Sequence, residues 1–161
     1  MNHKAPNTCR RSVLLVLILA CCLPVHAQEV ALAVPQERTT IMQYLINERP
    51  VLADLVTKAG LTPLLSGSGT YTLLAPPEED LQSLRNESPQ RLRAIVSGHI
   101  LKGQYQESDL KDGASVETLA GTKINVCRVR GYTLVDGLRI NSADKAVKNG
   151  VVHSIGGIIR G

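Results

Sequence analysis

At Lys102-Gly103 the hydrophobic period of the chain changes, and no other feature of the sequence constrains the fold as much. Upstream, apolar residues recur at helical spacing. Ile41, Met42, Leu45 and Ile46 form one stripe, with Thr39 or Thr40 placed as its cap and Arg49-Pro50 interrupting it. Leu52, Leu55, Val56 and Ala59 form a second stripe, closed by Gly60. LTPLL reads as a short apolar turn and SGSG as a loop. Residues 71–75 (YTLLA) read as a strand ended by Pro76-Pro77, after which Glu78, Glu79 and Asp80 fill a first helical turn and complement its dipole. Ser88-Pro89 opens a further helix in which Leu92, Ile95, Val96, His99 and Ile100 share one face. Downstream the runs are short and β-branched: 115–119, 122–129, 132–135 and 138–140, separated by Gly121, Gly131 and Asp136-Gly137. Residues 149–155 (NGVVHSI) close the chain as a turn and a strand. Helices followed by a cluster of strands predict an α+β fold rather than an alternating α/β sheet.

The core of such a fold must be aliphatic, because the chain has four Tyr and neither Phe nor Trp. That scarcity argues against a nucleic-acid reader, which stacks bases on aromatic platforms. The charge balance agrees. Residues 1–27 hold Lys4, Arg10 and Arg11 and no acid, so the remainder carries 15 cations against 14 acids and has no general attraction for phosphate polymers.

Residues 1–27 have the three-part layout of a secretory signal peptide. A basic start leads into the apolar run SVLLVLILACCL, too short to span a bilayer comfortably, and Pro24 precedes a cleavage site expected after Ala27. Residues 28–37 read as a linker and 38–161 as the folded domain. A rival reading takes Ile18-Leu19-Ala20-Cys21 as a lipobox, which would acylate Cys21 and anchor the protein to a membrane. Arg10-Arg11 also fits a twin-arginine signal, although Ser12-Val13 and the greasy core favour the general route. After cleavage at Ala27 only Cys127 remains, so no intramolecular disulfide is expected; within KINVCRV it reads as a small, half-buried hydrophobe.

No catalytic motif emerges. SGSGT lacks the spacing of a nucleophile elbow and the lysine of a phosphate loop. The consecutive Glu78, Glu79 and Asp80 point in different directions on a helix. The mature chain has two histidines, His99 and His153, without the further ligands a metal needs. In strand alternation Val151, His153 and Ile155 share one face. Each histidine reads as a buried neutral imidazole that needs a hydrogen-bond partner, with Asp144 or backbone carbonyls as candidates. No cofactor, metal or catalytic residue is expected.

Three stretches together resemble a fasciclin (FAS1) domain, in its bacterial, exported, single-domain form. They are Thr72-Leu73-Leu74-Ala75-Pro76 with the helix after it, the central helix with His99, and Ala143-Asp144 followed by Asn149-Gly150-Val151-Val152-His153-Ser154-Ile155. Their order and spacing match across residues 38–161. The chain departs from the family at Leu74, usually Phe, and at Pro77-Glu78, usually Ser or Thr followed by Asn or Asp. It departs again at Gly98, often Tyr, and at Gly156, usually Asp. Of the integrin-binding motifs described in animal members, only His99 and Asp144 are retained at the matching positions, so that activity does not carry over. The resemblance implies helices packed on a wedge-like β-sheet and a role in adhesion or matrix association. It makes Thr72, Ala75, Pro76, His99, Asp144, Asn149, Gly150 and His153 structural positions.

The expected function is therefore an exported, non-catalytic adhesion or interaction module. It would be a monomer that binds a protein or polysaccharide of the cell envelope or matrix, with no nucleic-acid partner and no membrane contact unless lipidated. The alternative is a carrier of small apolar ligands or lipids. A deep apolar pocket would favour the carrier, and a filled core with an exposed apolar patch the binder. Arg130 and Tyr132, flanking a turn, are the candidate surface contact.

Overall fold

A computed structural model describes residues 39–160; the expected signal peptide, Cys21 and the expected linker lie outside the described residues. Two helices open the domain, α1 (Ile41–Glu48) and α2 (Pro50–Lys58). Thr40 caps α1, its hydroxyl accepting from the Gln43 N–H at 3.3 Å. Arg49, at φ −141° and ψ 64° and so outside the helical region, separates the two helices, and Pro50 occupies the first position of α2, where no N–H is needed. The expected stripe on α1 is shorter than its pattern: Ile41, Met42 and Leu45 are buried, whereas Ile46 is 57% exposed, one position too far around the helix. LTPLL is not a turn but a short helix, α3 (Thr62–Ser66), whose Leu65 is buried.

Strand β1 (Tyr71–Ala75) leads through α4 (Glu78–Leu81) and a 3₁₀ turn to α5 (Pro89–Gly98), capped by Ser88. The apolar stripe predicted along α5 outruns the helix. The helix stops at Gly98, His99 is its C-cap, and Ile100 already belongs to strand β2 (Ile100–Lys102). Strands β3 (Ser115–Glu117), β4 (Lys123–Val129), β5 (Tyr132–Val135), β6 (Leu138–Val147) and β7 (Gly150–Ile155) follow.

The seven strands form one sheet in the order β2-β1-β7-β6-β5-β4-β3, antiparallel except for the β1–β7 pair. Its two ends come back together. Leu101 bridges Thr118 just beyond β3, and the Leu119 N–H donates to the Ile100 carbonyl at 2.7 Å. The sheet is thus folded over as a wedge, as the resemblance implied, and helices with one sheet make the α+β fold expected from the order of elements.

This closure divides the core in two. Leu73 and Ala75 of β1 face the helices, packing with Leu45, Leu55, Leu65 and Leu92, while Leu74 faces the inside of the wedge with Leu101, Leu110, Val126, Val135 and Ile155. Period-two alternation sends neighbouring residues of β1 into different cores, so both of its faces are apolar. Cys127 takes the opposite side of β4 from Ile124 and Val126 and is exposed, not half-buried.

Candidate functional site

The matched positions are tied into the fold by hydrogen bonds, most of them to backbone. His153 lies in the middle of β7, fully buried, beside Leu74 of β1. Its Nδ1 accepts from the Asp144 N–H at 3.1 Å, so the ring proton resides on Nε2 and is donated to the Tyr105 carbonyl at 2.8 Å. The Asp144 N–H can reach the ring because β6 is irregular there. Its register against β7 slips between Ser142 and Lys145, and Asp144 has a left-handed φ of 58°. The carboxylate of Asp144 does something else, accepting the Glu107 N–H at 2.7 Å; its Oδ1 stands 3.9 Å from the ring.

Thr72, also fully buried, works on the same segment. Its hydroxyl donates to the Gly103 carbonyl at 2.9 Å and accepts the Tyr105 N–H at 2.8 Å. Thr72, His153 and Asp144 together fasten the backbone of residues 103–107 across the wedge.

His99 serves another seam with the opposite tautomer. The Ile159 N–H donates to its Nε2 at 2.9 Å, so Nδ1 carries the proton and donates to the Ile95 carbonyl at 2.9 Å. Burial holds its pKa below the ordinary 6.5, against a smaller upward pull from the bond to Ile95.

Asn149 and Gly150 form a third joint. Asn149 accepts the Ile41 N–H at 2.7 Å and donates to the carbonyls of Leu65 and Gly67 at 2.8 and 3.1 Å, so one amide ties the start of α1 to the end of α3. Gly150 has φ 152°, and a Cβ there would overlap the Tyr71 carbonyl oxygen of the adjacent strand. Ala75 is buried at the end of β1, and the Pro76 carbonyl accepts from Arg49, whose other amino group donates to Ser154 at 2.7 Å.

All four ring nitrogens of the two histidines are thus committed to backbone, and the matched residues are brought to three separate seams rather than to one cleft. Sequence reasoning missed Arg49, Glu78 and Tyr105. The Glu78 carboxylate accepts the N–H groups of Val51 and Leu52 at 3.1 and 3.4 Å and so caps α2 from a distance. The hint was present: α2 begins Arg-Pro, with no capping side chain of its own.

Two features reach the surface. The β4–β5 hairpin turns at Arg130-Gly131, and its last cross-strand pair, Val129 and Tyr132, is 49% and 47% exposed. The Arg139 guanidinium lies 3.4 Å over the Tyr132 ring. Elsewhere a groove of about 710 Å³ opens over Leu84, Ala94, Ile95, Gly98 and Ile158, with Arg91 and Arg160 in its lining.

The family model of the Fasciclin domain matches residues 48–160. The chain is 36% identical over 112 residues to the pig (Sus scrofa) transforming growth factor-beta-induced protein ig-h3, covering 65% of this chain and 16% of that protein, so it spans about one-sixth of that relative's length. An uncharacterized protein of Synechocystis is 27% identical over 116 residues, with 67% of this chain and 86% of that one covered. The FAS1 domain pair of the insect cell adhesion molecule fasciclin I has the same fold: TM-score 0.60 at 16% identity, covering 78% of this chain and 52% of that one. With the family model matching residues 48–160, from the end of α1 through β7, this chain belongs to the fasciclin domain family.

Proposed function

We propose that the protein is an exported, non-catalytic interaction module that binds a protein or polysaccharide of the cell envelope or surrounding matrix. The observation that carries this reading is how the polar groups are divided. The histidines, Thr72 and Asn149 are consumed in fastening backbone, while apolar and aromatic surface is left outside at Val129 and Tyr132. Among the described residues every buried side-chain nitrogen and oxygen has a partner, as groups that support a fold do. The fold shared with a cell adhesion molecule supports the same reading, as does the layout of residues 1–27, with export by cleavage after Ala27 and acylation of Cys21 as the anchored variant. The test is a binding panel of envelope fractions, matrix proteins and polysaccharides, with heat-unfolded protein as control. Saturable binding of the folded form alone is expected. Equal binding by both forms would defeat the reading.

A second reading, carriage of a small apolar ligand, is favoured by the groove over Gly98. A Cβ at this helical glycine would meet no atom within 4 Å, so nothing in the fold requires a glycine there. Saturable uptake of a fluorescent fatty acid by the protein, abolished in Gly98→Leu, would establish the carrier; no uptake by the unmodified protein would remove it.

A further inference from the structure

We propose that the tip of the β4–β5 hairpin, with Arg139 beside it, is a binding site for an acidic polysaccharide. The proposal rests on the interaction-module reading and adds to it the surface and the chemistry of the partner.

The first observation is the distribution of charge. Residues 123–139 contain Lys123, Arg128, Arg130 and Arg139 and a single acid, Asp136, leaving 11 of the 15 cations and 13 of the 14 acids to the rest of the chain beyond residue 27. A nearly neutral body therefore carries a positive hairpin and a slightly negative remainder. Glu117 stands across from Lys123, at the end of β4 away from the tip, and two further carboxylates bond to the hairpin itself. Glu107 accepts from the hydroxyl of the buried Thr133, and Asp112 accepts the Arg128 N–H. Arg128 itself is tied to the Glu107 and Leu110 carbonyls. Tyr132 and Arg139 stand on the opposite face from Thr133.

The second observation is local. Both hairpins of this ribbon turn on two residues of positive φ. Asp136-Gly137 (50° and 78°) uses the residues that such a turn prefers. Arg130-Gly131 (51° and 84°) puts a long cationic side chain in the left-handed region, where a β-carbon is disfavoured and Asn or Asp would serve the fold better. Folding does not explain that arginine, and conformational cost retained at an exposed tip points to use.

The third is the shape of the patch. Arg139 holds one face of the Tyr132 ring, and the half-exposed ring and Val129 offer a small apolar shelf beside that guanidinium, with the exposed Arg130 next to Val129 in the chain. Planar guanidinium groups match carboxylates and sulfates in two-point fashion. A single tyrosine shelf fits the C–H face of a sugar ring. It is too small for the core of a stable protein interface and lacks the succession of rings that stacks bases.

The test measures binding of the full protein to immobilised polygalacturonate and heparin, with neutral dextran as control, at low and high salt. Retention on the acidic matrices that weakens with salt is expected. Arg130→Asn, Arg139→Gln and Tyr132→Ala should each weaken binding about two- to fivefold. Arg130→Asn should meanwhile raise the unfolding temperature, so its loss of binding cannot be ascribed to loss of fold. Acidic-matrix binding that survives all three substitutions would overturn the site. Failure to bind either polyanion, with saturable binding to an envelope fraction, an acidic protein or anionic vesicles retained, would overturn the polysaccharide assignment and leave the interaction module standing. Loss of all saturable binding would overturn both.

Discussion

Gly150 shows how tightly a single residue can be specified. Any β-carbon at this position collides with the Tyr71 carbonyl, and neither backbone can retreat while β1 and β7 remain paired. Gly150→Ala is expected to destabilise the protein by on the order of 3 kcal/mol or more, as a steric clash and a disfavoured φ combine; chemical denaturation measures it, and a loss under 1 kcal/mol would refute the clash. His99 sets a pH dependence. Its folded pKa lies below the unfolded value of 6.5, so the stability it contributes is complete above that pH. Below it the unfolded chain takes up a proton that the folded chain refuses, and stability falls as pH drops from 6.5 toward the folded pKa. The unfolding midpoint should therefore be lower at pH 5.5 than at pH 7.5, and His99→Gln, weaker at both, should flatten the difference. Cys127, exposed on β4, should react fully with a maleimide in the folded protein; labelling that requires denaturant would place it inside.

Between elements, Asn149 is the joint whose loss should be felt most. Asn149→Ala leaves the Ile41 N–H and the Leu65 and Gly67 carbonyls without their partner, and a cost of about 2–4 kcal/mol is expected. Hydrogen exchange should then speed up first in α1 and α3; uniform acceleration would argue against a local joint. The Asn-Gly pair was legible in the sequence because turn chemistry is local, and so were α2, the Arg130-Gly131 and Asp136-Gly137 hairpins and β7. Other features were not. The end of α5 was invisible because His99 and Ile100 continue the helical stripe after the backbone has left the helix. Only the first three residues of β6 were readable. Beyond Ile140 the strand runs through Asn141, Ser142 and Asp144 with much of its surface exposed, and the bulge at Asp144 breaks the alternation. The histidines were readable as buried supports, with Asp144 and backbone carbonyls as the kind of partner they need, but Tyr105 and Ile159 themselves were not, because they lie 48 and 60 residues away and contribute only backbone.

At the scale of the folded domain, the two cores share β1. Leu73→Ala should damage the helical side and Leu74→Ala the inside of the wedge, each by about 2–5 kcal/mol. Because one strand serves both, far-UV circular dichroism and the fluorescence of Tyr44, Tyr71 and Tyr105 should report the same denaturation midpoint in either variant. Two separated transitions would show that the cores melt independently. The closure of the sheet has a further consequence. An open sheet ends in two ribbons of unsatisfied amides on which a second chain can grow, the usual seed of strand exchange and fibre formation. Here those ribbons are short, they meet at Leu101 and Thr118, and Asp112 takes up the Arg128 N–H beyond the reach of β3. Copies held at high local density, side by side on a surface, would therefore meet through side chains and not by templating one another's backbone.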